Sequence, residues 1–498
     1  MAPPTVLNSG EPDARRRERP HVVFIPSAGM GHLLPFFRFI GALSSHDVDI
    51  SVVTVLPTVS AAEADHFARL FHDFPSIRRV DFNLLPLDAS EFPGADPFLL
   101  RWEALRRSMH LLAPAIAGVA PRATAVVTDV TLVSHVNPIA KDLRLQCHVL
   151  FISSATMHCN RAMQKKMVSS IFSPVMMSLC SYFPIYLDNK DAQADVGDVD
   201  VPGVRHLQRS WLPQPLLDLD MLFTKQFIEN GREVVKTDGV LINTFDALEP
   251  VALAALRDGT VVRGFPPVFA VGPYSSLASE KKAADADQSS ALAWLDQQPA
   301  RSVVYVAFGN RCTVSNDQLR EIAAGLEASG CRFLWILKTT VVDRDEAAAG
   351  GVRDVLGDGF MERVKGRGMV TKEWVDQEAV LGHPAVGLFL SHSGWNSVTE
   401  AAAAGVPLLA WPRGGDHRVA ATVVASSGVG VWMEQWSWDG EEWLVSGEEI
   451  GGKVKEMMAD DAVRERAAKV GEEAAKAVAE GGTSHTSMLE FVAKLKAA

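Results

Sequence analysis

The residue types best suited to chemistry lie in one segment, residues 374–417, WVDQEAVLGHPAVGLFLSHSGWNSVTEAAAAGVPLLAWPRGGDH. Its apolar residues 386–390 stop abruptly at a polar, glycine-containing stretch, which is followed by small residues. This pattern predicts a buried parallel strand, a tight turn at residues 392–397 and the start of a helix. Because helix N-termini expose unpaired N–H groups and carry partial positive charge, we expect the turn to hold a diphosphate.

Side chains around this turn fit the rest of a nucleotide. Gly394 and the small residues 401–404 would let a ligand approach closely. Glu400 follows Asn396 by one helical turn, where a carboxylate can accept hydrogen bonds from a pair of ribose hydroxyls. Trp374 offers a flat face for a base. Each residue alone also fits a buried structural role, so the combination carries the interpretation. The turn contributes three side-chain donors: His392, Asn396 and Ser397.

A second pair of polar residues lies at the ends of two strands in the first half of the chain. His32 follows the strand HVVFIP and its glycine-containing turn, and Asp129 ends the strand AVVTDV. A histidine there can accept a proton from a weakly acidic hydroxyl, and a carboxylate beside it would fix its tautomer. Position alone leaves a second interpretation open, in which His32 caps a helix and Asp129 pairs with a local donor.

Composition limits the class of protein. The chain has 498 residues, which suits two α/β domains, and its net charge of −12 disfavours nucleic-acid binding. Five cysteines without metal-ligand spacing indicate free thiols in a reducing compartment. Residues 1–20 are polar and lack the apolar core of a signal peptide, so we expect a disordered tail. Without a stretch long enough to span a bilayer, we expect no membrane insertion and a cytoplasmic location.

Short β-branched runs alternate with helical patterns along the whole chain, which predicts parallel sheets with helices on both faces. The polar residues 273–290 predict a linker between two Rossmann-like domains, and the residues after 446 are expected to be helical. The predicted strands begin near His21, Ile50, Val80, Ala125, His148, Gly239 and Val268 in the first half, and near Ser302, Arg332, Met369, Val386, Val406 and Val429 in the second.

These motifs resemble the plant family 1 UDP-sugar glycosyltransferases. Residues 374–416 match the donor-binding signature of that family, and further matches include INTFDALEP from Ile242, FAVGP from Phe269 and WLDQQPARSVVYVAFGN from Trp294. The resemblance implies the GT-B fold. It also implies an acceptor-binding domain at residues 21–272, a donor-binding domain at 291–480 and a C-terminal helix, 481–498, that packs back on the first domain.

The resemblance assigns roles to individual residues. His32 and Asp129 fall on the catalytic dyad of the family, and no metal or other cofactor is expected. UDP-sugar and a small phenol are the expected ligands of a monomeric enzyme. The acceptor pocket is assigned to Phe98, Trp102 and Met30. The donor site is assigned to Trp374, Val375, Gln377, His392, Gly394, Trp395, Asn396, Ser397, Glu400, Asp416, His417, Asn310 and Ser153, with Ser154 as an alternative to Ser153.

Residues 96–112, with other stretches, resemble the 2-hydroxyflavanone C-glycosyltransferases of grasses, whereas O-glycosylation of phenols is the alternative. The expected reaction is an inverting displacement in which His32 deprotonates the acceptor. His417 replaces the usual glutamine, so glucose, galactose and arabinose all stay open as donor sugars. Residues 158–176 look inserted relative to related sequences, either as a pocket lid or as an artefact of the gene model.

Two other classes of protein share some of these features. A dinucleotide-dependent dehydrogenase would share the sheets, but Leu34 stands where the third glycine of G-x-G-x-x-G belongs, and the second strand ends without an acidic ribose ligand. A non-catalytic binding relative is the other rival. The presence of both His32 and Asp129 argues against it.

Overall fold

The computed structural model of the protein describes residues 19–27, 30–91, 97–151, 156–159, 166–169, 173–189, 195–275, 289–309, 314–338, 351–373, 375–437 and 443–497. Only the backbone is described for residues 30, 89, 97–99, 156–159, 166–169 and 289. Most of the predicted tail, the linker residues 276–288 and much of the predicted insertion therefore lie outside the described residues.

Two parallel sheets form the framework, and their strands correspond to the predicted apolar runs in both halves of the chain. The seven-stranded sheet has the order β11-β10-β5-β4-β1-β2-β3, and the six-stranded sheet has the order β14-β13-β12-β15-β16-β17. The first comprises β1 (His21–Ile25), β2 (Asp49–Leu56), β3 (Arg78–Asn83), β4 (Ala125–Asp129), β5 (Gln146–Phe151), β10 (Gly239–Ile242) and β11 (Val268–Ala270). The second comprises β12 (Val303–Ala307), β13 (Arg332–Ile336), β14 (Gly368–Thr371), β15 (Val386–Ser391), β16 (Leu408–Ala410) and β17 (Gly430–Trp432).

Two short antiparallel hairpins lie outside these sheets. They pair β6 (Thr156–Cys159) with β7 (Lys166–Ser169), and β8 (Val199–Val201) with β9 (Arg205–Leu207). The first hairpin overlaps residues 158–176, and the sequence patterns did not predict it.

Helices connect the strands and cover both faces of each sheet. In the first half they are α1 (Met30–Leu43), α2 (Ala61–Asp73), α3 (Pro97–Ser108), α4 (Leu112–Ala117), α5 (Val133–Asp142), α6 (Pro174–Asp188), α7 (Leu222–Val234) and α8 (Pro250–Arg257). In the second half they are α9 (Ser289–Leu295), α10 (Asn316–Ser329), α11 (Val352–Leu356), α12 (Asp358–Arg363), α13 (Gln377–Leu381), α14 (Trp395–Ala404), α15 (His417–Ser427), α16 (Gly447–Ala459), α17 (Asp461–Val478) and α18 (Thr483–Lys496). Short 3-10 turns occupy Ala89–Glu91, Met109–Leu111, Val130–Leu132, Arg209–Trp211 and Gln214–Leu217.

The strand order places one crevice in each sheet. In the first sheet, the chain runs outward from β1 to β2 and β3 on one side, and from β4 to β5, β10 and β11 on the other. The strand order therefore reverses between β1 and β4. In the second sheet the same reversal occurs between β12 and β15. Ligands of doubly wound sheets bind at such points, beyond the carboxyl ends of the strands. The topology therefore predicts one half-site in each domain.

The last helix returns to the first sheet. α18 buries the apolar face formed by Met488, Phe491, Val492 and Leu495 in the core around β1 and β2. The Phe491 ring lies 5.1 Å from the His148 ring and 6.0 Å from the Phe39 ring. α18 thus ties the end of the chain to the first domain. Within the described residues, no helix is long and apolar enough to cross a membrane.

Contacts between the domains fix the crevices opposite each other. The Trp395 indole donates a hydrogen bond of 2.8 Å to the Asn243 carbonyl, which lies just after β10. The Trp211 ring packs edge-on against Trp432 with a centroid distance of 5.4 Å, and its indole N–H donates to Glu434 at 2.8 Å. These indoles bury apolar area while satisfying their single donor.

Candidate functional site

The first half-site is a histidine–carboxylate pair. His32 lies in the first turn of α1, which follows β1, and Asp129 is the last residue of β4. Because β1 and β4 are neighbouring parallel strands, their carboxyl ends meet at one edge. His32 Nδ1 lies 2.5 Å from Asp129 Oδ2, and both side chains are fully buried. The strand order thus brings the two residues together.

Further hydrogen bonds hold the Asp129 carboxylate. Thr131 donates to Oδ1 through its backbone N–H and its hydroxyl, each at 2.7 Å, and the Ser27 hydroxyl donates to Oδ2 at 3.1 Å. Burial by itself would raise the pKa of Asp129, but His32 and the two Thr131 donors outweigh it and leave the pKa below its ordinary value. An ionised Asp129 requires the Nδ1–H tautomer of His32, which makes Nε2 the basic nitrogen.

Sequence reasoning missed both Ser27 and Thr131. A local signal existed for Thr131, since a hydroxyl residue two positions after an aspartate is typical of a turn closed by the carboxylate. Ser27 follows β1 at the same sheet edge, but only the strand pairing shows that it reaches Asp129.

The second half-site is the turn between β15 and α14, opposite Gly309 after β12. Ser393 adopts a left-handed backbone with φ of 66°, as does Gly309 with φ of 76°. A Cβ atom built on Gly394 would lie 2.5 Å from His392 Nε2, and one built on Gly309 would lie 2.6 Å from it. The imidazole therefore fills a slot that only glycine on both sides can form.

Gly394→Ala is expected to lower UDP affinity at least about 10-fold, because the methyl group must displace the His392 ring from the turn. Isothermal titration with UDP measures the change. Gly452→Ala is the matched control. Gly452 lies on the exposed face of α16, and a Cβ atom built on it would have no other atom within 4 Å. Unchanged UDP affinity in Gly394→Ala would contradict the assignment of this turn.

Electrostatics keep His392 neutral. Burial lowers its pKa to about 4, although a hydrogen bond with the backbone of Ala307 opposes the shift. The Ser391 hydroxyl lies 3.4 Å from His392 Nδ1. The hydrogen bond to the Ala307 carbonyl uses the single N–H of the neutral imidazole, so the backbone N–H groups at the N-terminus of α14 are the donors that a phosphate would meet. The arrangement can stabilise the negative charge of a phosphate without a metal ion.

The predicted ribose carboxylate lies one turn further along α14. Gln377 Nε2 donates to Glu400 Oε2 at 2.7 Å and to the Ser397 hydroxyl at 3.0 Å. Arg38, from the first domain, donates to Glu400 Oε1 at 2.8 Å. Burial raises the pKa of Glu400, while Arg38 and Gln377 act in the opposite direction. The sequence assigned Gln377, Ser397 and Glu400 to one site, and the three are in contact.

The other end of the half-site is the start of α15. Asp416 is fully buried, and within the described part of the chain neither of its carboxylate oxygens has a hydrogen-bond partner. Burial raises its pKa well above the ordinary value. Buried carboxylates are normally hydrogen-bonded, so this one calls for a ligand that supplies donors, such as sugar hydroxyls.

His417 follows Asp416 in sequence and contacts His392 in the turn at residues 392–397. Its ring is edge-on to that of His392 with a centroid distance of 4.8 Å, and its Nδ1 accepts a hydrogen bond from the Arg413 backbone N–H at 3.4 Å. Burial, His392 and Arg413 all lower the pKa of His417. The ring is therefore neutral at pH 7, and with Nδ1 as an acceptor its N–H lies on Nε2.

Two of the residues assigned to the donor site have buried side chains. Trp395 does not face the turn, because its ring is buried in the domain interface and donates to Asn243. The Val375 side chain packs in the apolar core. Their backbone groups are therefore the part of each residue that we expect a ligand to contact. Burial of a large apolar side chain is lower in free energy than its exposure to water in a polar cleft.

The remaining assignments have different outcomes. Asn396 is half-buried in the first turn of α14, and Trp102 is half-buried on α3. Trp374, Asn310, Ser153 and Ser154 lie outside the described residues, as do the side chains of Met30 and Phe98. Among the described residues, no group of three or more His, Cys, Asp and Glu side chains could hold a metal ion.

The chain is similar to known proteins in both sequence and structure. Residues 219–469 match the family model "UDP-glucoronosyl and UDP-glucosyl transferase". The chain is 56% identical to "UDP-glycosyltransferase CGT" of Oryza sativa subsp. indica over 97% of each chain. It superposes on LpCGTa in complex with UDP with a TM-score of 0.81 and 44% identity, covering 96% of this chain and 99% of that one. For Medicago truncatula UGT71G1 complexed with UDP-glucose, the TM-score is 0.76 and the identity 25%, covering 97% of this chain and 99% of that one. These matches confirm the GT-B fold expected from the sequence.

Proposed function

The chain belongs to the UDP-glucoronosyl and UDP-glucosyl transferase family and is a UDP-glycosyltransferase, and we propose that it attaches the sugar to a ring carbon of a flavonoid-type phenol. The buried His32–Asp129 contact is the observation that carries the chemistry. The names of the rice relative and of LpCGTa, in which CGT abbreviates C-glycosyltransferase, support the carbon linkage. The acceptor class rests on the resemblance to the grass flavonoid enzymes.

The proposed reaction is a single displacement. His32 Nε2 takes the phenolic proton, and the negative charge spreads to the ring carbon ortho to that oxygen. This carbon attacks the anomeric carbon of the UDP-sugar as the bond to the β-phosphate oxygen breaks. The ring carbon then loses its proton to solvent, which restores an aromatic phenolate, and His32 returns its proton to the phenolate oxygen. UDP leaves with the electron pair of the broken bond. A general base contributes about 10²- to 10⁴-fold to such a step, and Asp129 stabilises the charged imidazole.

The donor half of the proposal assigns each part of the UDP-sugar to a neighbouring group. The turn at residues 392–397 receives the diphosphate, supported by the backbone donors at the start of α14 and the glycine slot around His392. Glu400 receives the ribose hydroxyls. Asp416 receives the sugar hydroxyls, supported by its unpartnered carboxylate oxygens. We place no cofactor in the reaction.

The product distinguishes carbon from oxygen linkage. Incubation with phloretin or 2-hydroxynaringenin and UDP-glucose, UDP-galactose or UDP-arabinose is expected to give a product that survives acid hydrolysis, because acid cleaves glycosidic C–O bonds but leaves C–C bonds intact. Mass spectrometry before and after hydrolysis measures the outcome. An acid-labile product would favour O-glycosylation, and absence of turnover with every donor would favour the non-catalytic relative.

The same donor panel tests the role of His417. Glutamine at this position would present a donor and an acceptor to adjacent hydroxyls, whereas the neutral His417 ring already uses Nδ1 to accept from the Arg413 backbone N–H. We therefore propose that His417 contributes to the choice of sugar. A His417→Gln variant with the same order of preference as the wild type would contradict this role.

A further inference from the structure

Arg38 is an isolated charge on an apolar helix. α1 reads MGHLLPFFRFIGAL, and Arg38 is its only Lys, Arg, Asp or Glu residue. Its Nη1 atom donates to Glu400 Oε1 at 2.8 Å, across the cleft and 362 positions away in sequence. The two side chains are only 12% and 10% exposed. A cation that leaves solvent here must be matched by an anionic partner, and Glu400 provides one.

Glu400 keeps acceptor positions for a ribose in addition to its contact with Arg38. An ionised carboxylate has about four acceptor positions on its two oxygens. Arg38 takes one position on Oε1, and Gln377 takes one on Oε2. About two positions are left, which matches the two hydroxyls of a ribose. Arg38 therefore need not leave when the nucleotide binds, and the contact is not a lock on the empty site.

Charge at the site depends on Arg38. Among the described residues, the groups that act on Glu400 are Arg38 from α1, Gln377 and Glu378 from α13, and Tyr305 from β12. Asp376, at the N-cap of α13, interacts with Arg38 and Glu378. Burial and Glu378 both raise the pKa of Glu400, and among the facing groups of the described residues Arg38 supplies the positive charge. Without it, the carboxyl would bind a proton more readily and lose acceptor positions.

We propose that Arg38 is a positioning residue for the donor, which keeps Glu400 ionised and oriented toward the ribose hydroxyls while joining the two domains. This inference rests on the proposed role of Glu400 in binding ribose. Arg38 and His32 lie six positions apart on α1, about 9 Å along the helix axis. One helix therefore carries both the proposed base and the group proposed to orient the donor.

The test compares UDP with 2′-deoxy-UDP by isothermal titration of the full chain. Arg38→Gln is expected to lower UDP affinity about 10-fold, because a charge-assisted hydrogen bond to Glu400 is lost. The loss for 2′-deoxy-UDP should be clearly smaller, since that nucleotide already lacks one hydroxyl partner. Arg38→Lys should recover part of the UDP affinity. Equal losses for the two nucleotides, unchanged affinity or tighter binding would each overturn the inference.

A pH profile gives a readout that a general loss of structure would not produce. In Arg38→Gln the pKa of Glu400 rises further, so the acid-side decline in UDP affinity should move to higher pH than in the wild type. An unmoved decline would contradict the role of Arg38.

Arg205→Gln is the matched control, because Arg205 also crosses the interface, donating to the Ser426 hydroxyl at 3.0 Å, without contacting Glu400. It should not discriminate between the nucleotides. Failure of Glu400→Gln to weaken UDP binding would contradict the ribose assignment, and failure of the wild type to bind UDP would contradict the proposed function itself.

Discussion

His32→Ala is expected to lower kcat about 10²- to 10⁴-fold, the contribution of a general base, while UDP affinity stays close to that of the wild type. The reason is spatial. His32 contacts Asp129 in the first domain, whereas the groups proposed to hold UDP belong to the turn at residues 392–397 and to Glu400 in the second. Initial rates with saturating donor and acceptor, together with titration of UDP, measure both quantities.

The variant Asp129→Asn tests how the carboxylate supports His32, without removing the proposed base itself. Asp129→Asn keeps the shape of the side chain but removes its charge, so the ionised carboxylate no longer stabilises a protonated His32. Its kcat should also fall by orders of magnitude, and the loss in the double variant should be far from additive because the pair acts as a unit. Turnover in His32→Ala equal to that of the wild type would contradict the proposed dyad.

Asp416→Asn is expected to lower kcat/KM for the donor about 10- to 100-fold while stabilising the ligand-free protein. The proposed hydrogen bonds between an ionised group and sugar hydroxyls are worth about 1.5–3 kcal/mol. In the ligand-free protein the same carboxylate is buried and has no partner among the described residues, so its neutral replacement should raise the free energy of unfolding by about 1–3 kcal/mol. Initial rates over a donor series give the first quantity, and denaturant titration gives the second.

The stability difference should depend on pH. Because burial raises the folded-state pKa of Asp416, its stabilising contribution is complete below the unfolded-state pKa and is lost as pH rises through the folded-state value. The Tm advantage of Asp416→Asn should therefore be small near about pH 4 and larger near about pH 8. A constant difference across this range would show that Asp416 is not the group responsible.

Local sequence patterns predicted the elements of the two sheets well. The run from Val386 is apolar on successive residues, as expected for a strand buried on both faces, and the structure has a fully buried strand there. The following turn was predictable because a polar glycine-containing break between an apolar run and small residues is typical of a helix start. The antiparallel hairpin of β6 and β7 was missed, since its four-residue strands have no clear alternation.

Contacts between distant residues were harder to predict. The sequence gives no signal that Arg38 meets Glu400 or that the Trp395 indole reaches Asn243. Such contacts depend on how the domains pack, which no local periodicity encodes. The isolation of Arg38 on an apolar helix is a local signal that it needs a partner, but it does not identify Glu400 as that partner.

By itself, the sequence determined the kind of chemistry. A histidine and an aspartate at two strand ends, a glycine-bounded turn at a helix start and a carboxylate one turn later are local features, because backbone geometry and residue type set them within a few positions. Only the tertiary structure decided which of these groups meet. Strand order placed His32 at 2.5 Å from Asp129, domain packing turned Trp395 into the interface and brought Arg38 to Glu400, and burial left the Asp416 carboxylate unpartnered among the described residues. Those outcomes depend on long-range packing and on removal of charge from water, which residue spacing along the chain does not specify.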